Sequence, residues 1–230
     1  MKAGFFVTGT DTGVGKTLIS SALIWSFARR EFNAAGMKPV AAGCRWEGGR
    51  LLSDDVEQLR AASNVLLEPD TLNPYAFEPP LAPQIAARQA GTRIELERIH
   101  NAFESAAARV DVLVVEGVGG FRVPLNEAED TADLAVMLGL PVILVVGMRL
   151  GCQNHALLTA EAVAARSLRL AGWVANCIDD EMAALEENLT ALQHLLHAPC
   201  LGVVPFATSP DFQAVANMID CAGLMPGQRQ

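Results

Sequence analysis

Short apolar runs recur along the chain at Phe5–Val7, Gly36–Ala42, Val112–Val115, Val142–Val146, Gly172–Ala175 and Leu201–Val204, with stretches of helical character between them. Strands that are apolar at every position must be covered on both faces, as in a parallel sheet layered between helices. The pattern therefore predicts an α/β fold with a doubly wound, mainly parallel sheet. A helix is expected over Leu18–Arg30, and another over Asp130–Leu138, which stops at Gly139 ahead of Pro141. Between Cys44 and Asn101 the periodicity fades. Trp46–Arg50 and Asn73–Pro80 read there as loops, which compact domains usually keep for binding. No repeat or linker interrupts the 230 residues, so a single domain over 1–230 is expected.

Composition narrows the partners. A formal net charge of -9 and the lack of any Lys or Arg run argue against nucleic acid or an anionic membrane surface. The five cysteines, Cys44, Cys152, Cys177, Cys200 and Cys221, are scattered and never form a CxxC pair. That suggests neither a disulfide framework nor a zinc site, and fits a reducing cytoplasm. Gly4–Val7 is too short for a signal-peptide core. Polar residues interrupt every longer apolar stretch before the roughly 18 residues that a membrane span needs.

The chemistry is concentrated in Phe5-Phe-Val-Thr-Gly-Thr-Asp-Thr-Gly-Val-Gly-Lys-Thr-Leu18. A buried strand, a glycine-rich loop and a helix start stand there in order, an arrangement that aims backbone N–H groups and a helix dipole at phosphate oxygens. Lys16 would reach the β and γ phosphates of a nucleotide, and the Thr17 hydroxyl would ligate Mg²⁺. The strict GxxxxGK[ST] spacing is not met, because Thr10 stands where the first glycine belongs and Gly9 lies one residue earlier.

A P-loop enzyme needs a further carboxylate for its metal, and Glu116 ends the apolar run Val112–Val115, followed by Gly117, Gly119 and Gly120. Asp54 and Asp55 read equally as metal ligands or as acids at a helix start. Lys38, ahead of Pro39, is restricted to extended geometry and points past a strand end toward the crevice of Lys16. Asn176 reads either as a nucleobase contact or as a strand-end cap. The helix start Gly151–His155 offers free amides to an anion. His194 and His197 have no metal partners and read as surface residues, and no Gly-x-Ser-x-Gly elbow supports covalent acyl chemistry.

With these residues in view, the chain resembles the dethiobiotin synthetase family over nearly its whole length. The blocks are Gly9–Thr17, Lys38–Val40, Asp55, Val115–Gly120, Pro141–Gly147, Leu150–His155 and Ala171–Asn176, in the family's order. The resemblance implies a P-loop enzyme that converts 7,8-diaminononanoate, CO₂ and ATP to dethiobiotin, ADP and phosphate, with Mg²⁺ and as a homodimer. It implies Lys16 and Lys38 on the carbamate and γ-phosphate charge, and Thr17, Asp55 and Glu116 at the metal. Nucleotide contacts would come from Gly13, Val14, Gly15, Leu18, Gly117, Val118 and Gly119, with Asn176, Cys177, Pro205, Phe206 and Ala207 on the adenine side. Thr12, Lys38, Ala42, Gly151, Cys152 and Asn154 would face the diamine.

Two departures bear on that expectation. Ala42 stands where family members commonly carry a serine. Asn176-Cys-Ile-Asp179 echoes the Asn-x-x-Asp pattern of guanine-specific P-loop proteins, without the lysine between. The alternative reading is a nucleotide switch of the ParA and MinD type, but Gly9-Thr10-Asp11 lacks that group's early lysine and the tail Gly223–Gln230 is not an amphipathic membrane helix.

Overall fold

The computed structural model describes residues 1–225. The chain opens with β1 (Ala3–Gly9) and α1 (Lys16–Ala28), then β2 (Ala34–Met37) and β3 (Val40–Ala42). A hairpin of β4 (Arg45–Glu47) and β5 (Arg50–Leu52) leads to α2 (Asp54–Ala62), α3 (Pro69–Leu72), β6 (Tyr75–Phe77), α4 (Pro83–Gln89) and α5 (Leu96–Ala107). The second half alternates regularly through β7 (Val112–Glu116), α6 (Thr131–Leu138), β8 (Val142–Met148) and α7 (Cys152–Ala165). It continues with β9 (Leu170–Cys177), α8 (Leu185–Leu195), β10 (Cys200–Val204) and α9 (Phe212–Val215).

Six strands form one parallel sheet in the order β10-β9-β8-β1-β7-β2. Side chains alternate across it, so each strand feeds two cores. Phe5, Val7, Val112, Val114, Ile143 and Val145 pack on one face against α1, the Leu59 and Ala62 side of α2, and α9. Phe6, Leu113 and Val115 face α5 and α6 on the other, while Leu144, Val146, Trp173 and Ala175 face α7 and α8. This is the doubly wound α/β architecture that the fully apolar strands imply. The carboxyl ends of β1, β2 and β7 lie side by side where the winding reverses, the position at which such sheets bind ligands.

The run Gly36–Ala42 is not one strand. β2 ends at Met37 in the main sheet, and β3 pairs with β6 in a separate parallel ladder. The break follows from Pro39, which has no N–H to give a ladder and forces the residue before it out of register. The segment Cys44–Asn101 also carries more structure than its weak periodicity suggests. Trp46–Arg50 is the turn and flanks of the β4–β5 hairpin, and Asn73–Pro80 contains β6. These strands of three residues are too short to show a period in sequence. His194 is exposed on α8, and His197 is exposed beyond that helix's end. The tail reading lies outside the described residues from 226 onward.

The connection from β7 to α6 frames the site, and its geometry is set by Asp130. This side chain caps α6 by accepting from the backbone N–H groups of Ala132 and Asp133, while Asp133 accepts from the N–H of Asp130. Arg122 and Arg166 flank the same carboxylate. Replacing Asp130 with Ala removes a capping box, a loss of about 1–2 kcal/mol. Thermal unfolding is expected to show a midpoint lower by roughly 2–8 °C, given a shift of about 2–4 °C per kcal/mol for a chain of this size. An unchanged midpoint would remove the cap from this account.

Candidate active site

The loop between β1 and α1 closes tightly, and its glycines answer specific contacts. A Cβ on Gly9 would lie 2.6 Å from Cγ2 of Val14. Thr10, the residue that departs from the strict motif, accepts the Gly147 N–H through its hydroxyl at 3.2 Å and donates its own N–H to Val145 O at 3.0 Å. Here the close approach falls on Gly9, and Thr10 fastens the loop to β8. Gly15 is left-handed, with φ 88°, and caps α1. The Asn176 amide stands so close to it that an added Cβ would fall 2.2 Å from Nδ2. Nδ2 of Asn176 donates to Val14 O at 2.9 Å, so the end of β9 holds the loop's last turn in place.

Around this loop the structure gathers two lysines, two carboxylates and a hydroxyl. Lys38 is buried just past β2, and its Nζ donates to Glu116 Oε1 at 2.5 Å and to Gly117 O at 3.1 Å, with Asp55 Oδ2 at 3.2 Å. Thr17 donates its hydroxyl to the same Glu116 Oε1 at 2.9 Å. Burial alone would drive the Lys38 ammonium toward neutrality, but Glu116 and Asp55 outweigh it and hold its pKa above the ordinary lysine value. Burial would likewise raise the Asp55 carboxyl, and Lys38, Thr17 and Lys16 together keep it below its ordinary value. Lys16 has no such carboxylate at contact distance. Its Nζ donates to Asp11 O at 2.9 Å, and burial together with the neighbouring Lys38 charge pushes its pKa down to about 8.

These groups open on one cavity of about 760 Å³. Thr12, Gly13, Gly15, Lys16, Thr17, Lys38, Ala42, Asp55, Glu116, Val118 and Gly119 all line it. Asp54 does not; it is exposed and pairs with Arg45, which separates the two adjacent acids. A second cavity of about 260 Å³ shares Gly13 and Gly15 with the first and brings Leu18, Asn176, Cys177, Pro205, Phe206 and Ala207 together. Asp179 is absent from its lining. Its carboxylate caps a local turn by accepting the Glu181 N–H at 3.1 Å. Val14 is buried in the loop, and Gly117 meets the site through its carbonyl. Gly151, Cys152 and Asn154 line neither cavity, and they sit at the start of α7.

Sequence patterns missed several participants. Pro80, Leu81, Ala82, Pro83 and Val123 complete the larger cavity. The loop read at Asn73–Pro80 reached only the first of these, without marking what it faces. Arg149 donates to Asp11 Oδ2 at 2.6 Å and ties β8's exit to the P-loop, a contact across 138 positions with no local signature.

The donor set fits Mg²⁺. Glu116 Oε2 is buried with no hydrogen-bond partner among the described residues, an orphaned oxygen beside the Thr17 hydroxyl and the Asp55 carboxylate. No group of three His, Cys, Asp or Glu that could hold a metal exists among the described residues. Two carboxylates and a hydroxyl suit an ion that keeps waters and shares phosphate oxygens.

A strand, a phosphate loop with its buried lysine, and carboxylates at the carboxyl edge of a doubly wound sheet define a P-loop NTPase-type α/β protein. Among solved structures, the MinC:MinD cell division protein complex of Aquifex aeolicus aligns with 93% of this chain and 86% of that one, at TM-score 0.52 and 15% identity, a likeness of fold alone. A family model described as an AAA domain matches residues 3–213. An ATP-dependent dethiobiotin synthetase of Aromatoleum aromaticum is 55% identical over 219 residues, which cover 95% of this chain and 97% of that one. Another from Ralstonia nicotianae is 52% identical over 220 residues, covering 96% of each. The chain belongs to the dethiobiotin synthetase family. Among the described residues no helix is long and apolar enough to cross a membrane.

The lowered pKa of Lys16 carries a sign for stability. A lysine whose folded pKa is about 8 against an ordinary 10.5 burdens the fold with a buried charge below pH 8, and that penalty is relieved as pH rises from 8 to 10.5. Lys16→Met is therefore expected to be more stable than the parent at pH 7 by roughly 1–3 kcal/mol, with the gap closing toward pH 10. Urea unfolding of both proteins at the two pH values checks this. A variant less stable at pH 7, or a gap that widens with pH, would contradict it.

Proposed function

We propose that this protein closes the cyclic urea of dethiobiotin in biotin synthesis, converting 7,8-diaminononanoate, CO₂ and ATP to dethiobiotin, ADP and phosphate. The observation that carries the reading is the meeting of P-loop, Lys38, Asp55 and Glu116 on one cavity, in a chain 52–55% identical to dethiobiotin synthetases. One amine takes up CO₂ and loses a proton to become a carbamate. A carbamate oxygen then attacks the γ-phosphorus and displaces ADP, leaving a carbamic-phosphoric anhydride. The second amine attacks the anhydride carbonyl, the ring closes, and phosphate departs. Phosphoryl transfer of this kind asks the protein for alignment and charge neutralisation more than for covalent help.

Lys38 keeps its proton across the working range, because Glu116 and Asp55 hold its pKa up. It therefore acts as a fixed cation on the carbamate and the transferring phosphoryl group, not as a base. Lys16 reaches the β and γ phosphates from the loop, and its own pKa rises toward the ordinary value as phosphate replaces the Asp11 carbonyl as its partner. Thr17, Asp55 and Glu116 would hold Mg²⁺, which when bound would supply charge neutralisation to the phosphate oxygens. Gly13, Val14, Gly15, Gly117, Val118 and Gly119 surround the polyphosphate. Leu18, Asn176, Cys177, Pro205, Phe206 and Ala207 receive the adenine. With its amide nitrogen donating to Val14 O, Asn176 leaves its carbonyl oxygen free to accept from an amino group of the base. Thr12 and Ala42 face the diamine, and at Ala42 backbone or water replaces the hydroxyl of relatives.

Gly151, Cys152 and Asn154 stand away from the chain's own cavity, which supports a homodimer in which they receive the substrate carboxylate for a second copy at the start of α7, where the Cys152 N–H is taken by Arg149 O. Leu150, 95% exposed beside them, suits such a contact. The whole chain works as one domain on small molecules in a reducing cytoplasm, consistent with free cysteines and an acidic surface. Nucleic acid and membranes have no part in it.

Turnover assays with diaminononanoate, bicarbonate and MgATP test the reaction itself, and absence of dethiobiotin would overturn it. Lys38→Ala is expected to lower kcat roughly 100-fold or more while ATP affinity by calorimetry is retained; a near-parental kcat at saturating diamine rules out the charge role. A methyl ester of the diamine is expected to bind clearly worse than the acid, and equal affinity would dismiss the docking of the carboxylate at α7.

A further inference from the structure

Lys38 occupies a two-residue gap between β2 and β3, where no ladder holds its backbone. The partners come instead from the end of α3 and the short segment after it. Lys38 donates its N–H to Leu72 O at 2.8 Å, and its own carbonyl accepts from Asn73 Nδ2 at 2.6 Å. The second proton of that amide goes to Tyr75 O at 3.0 Å, and Tyr75 in turn donates its N–H to Pro39 O at 3.1 Å. Tyr75 is itself immobilised: its hydroxyl accepts the Glu95 N–H at 2.9 Å, and Arg98 lies over its ring at 4.6 Å. A single amide thus bridges the peptide of Lys38 to a residue anchored on α5. Asn73 lines a separate cavity of about 520 Å³ and not the active-site one, and of the residues proposed to face substrate its side chain hydrogen-bonds only Lys38.

We infer that Asn73 is a positioning residue for Lys38. Its two-pronged donation fixes the peptide from which the ammonium reaches Glu116, Asp55 and the cavity. The geometry asks for two N–H groups on a short side chain between two carbonyl oxygens. Aspartate has the shape without the donors, and alanine has neither. Loss of the bridge leaves the Lys38 and Tyr75 carbonyls without this partner and the backbone around Lys38 held only by its flanking bonds to Leu72 and Tyr75, and misplacement of a catalytic group by about 1 Å costs on the order of 100-fold in rate. The inference rests on the proposed charge role of Lys38.

Asn73→Ala and Asn73→Asp are tested as full-length proteins. kcat for ADP formation at saturating diamine, bicarbonate and MgATP is divided by the fraction of protein that binds ATP in calorimetry, so that misfolded material does not count. Both variants are expected to bind ATP within about twofold of the parent and to lose roughly 10- to 100-fold in kcat. In a Lys38→Ala background the same substitutions are expected to lower kcat no further, because the effect passes through Lys38. A normalised kcat within about twofold of the parent for either variant overturns the inference. So does a full additional loss in the Lys38→Ala background, which is the mark of a purely structural role. If Lys38→Ala itself turns over at the parental rate, the charge role of Lys38 falls and this inference with it, a result that is visible without any Asn73 variant.

Discussion

The structure turns on a lysine buried among carboxylates. Removing the Lys38 ammonium and the Glu116 carboxylate from water costs several kcal/mol per ion, and the pair is tolerable only because contacts close in from several directions. Glu116 Oε1 serves Lys38 and Thr17 at once, Asp55 adds a second negative charge, and the Gly117 carbonyl takes another ammonium proton. Each partner arrives on a different element: Lys38 after β2, Asp55 on α2, Thr17 on α1, Glu116 at the end of β7. The order β1-β7-β2 in the sheet is what makes their meeting possible.

That arrangement also divides labour between the lysines. Both are buried, yet their pKa values move in opposite directions, up for Lys38 and down to about 8 for Lys16. Burial acts alike on the two, and the difference lies in the carboxylates at contact distance. Lys38 is thereby held charged, while Lys16 rests on a backbone carbonyl. One Glu116 oxygen serves Thr17 and Lys38, and the other is buried with no hydrogen-bond partner among the described residues.

The P-loop shows how a departure from a consensus is absorbed. Gly9 takes the close approach to Val14, and Thr10 uses its hydroxyl to fasten the loop to β8. Asn176 and Arg149, both beyond β8, then brace the loop from the far half of the sheet. A local motif is in this way stiffened by residues more than 130 positions away.

What the sequence determined by itself was whatever depends on neighbours along the chain. Fully apolar runs marked strands covered on both faces, and Gly13-Val-Gly-Lys-Thr17 after such a run marked a phosphate loop, because strand, loop and helix start are contiguous. Glu116 was legible through its place at a strand end. Local sequence left Asp54 and Asp55 open and the family resemblance pointed to Asp55, and tertiary structure supplies the physical reason: both open α2, but only Asp55 turns toward Lys38 while Asp54 meets Arg45. It also separated β2 from β3 at Pro39, revealed strands too short to show a period, lined the larger cavity with Pro80–Pro83 and Val123, tied Arg149 to the P-loop, and set Asn73 behind Lys38, outside that cavity. Those placements depend on how distant segments pack and on which buried carbonyl or charge each side chain must satisfy. Pattern along the chain carries no record of that until the sheet has brought the partners together.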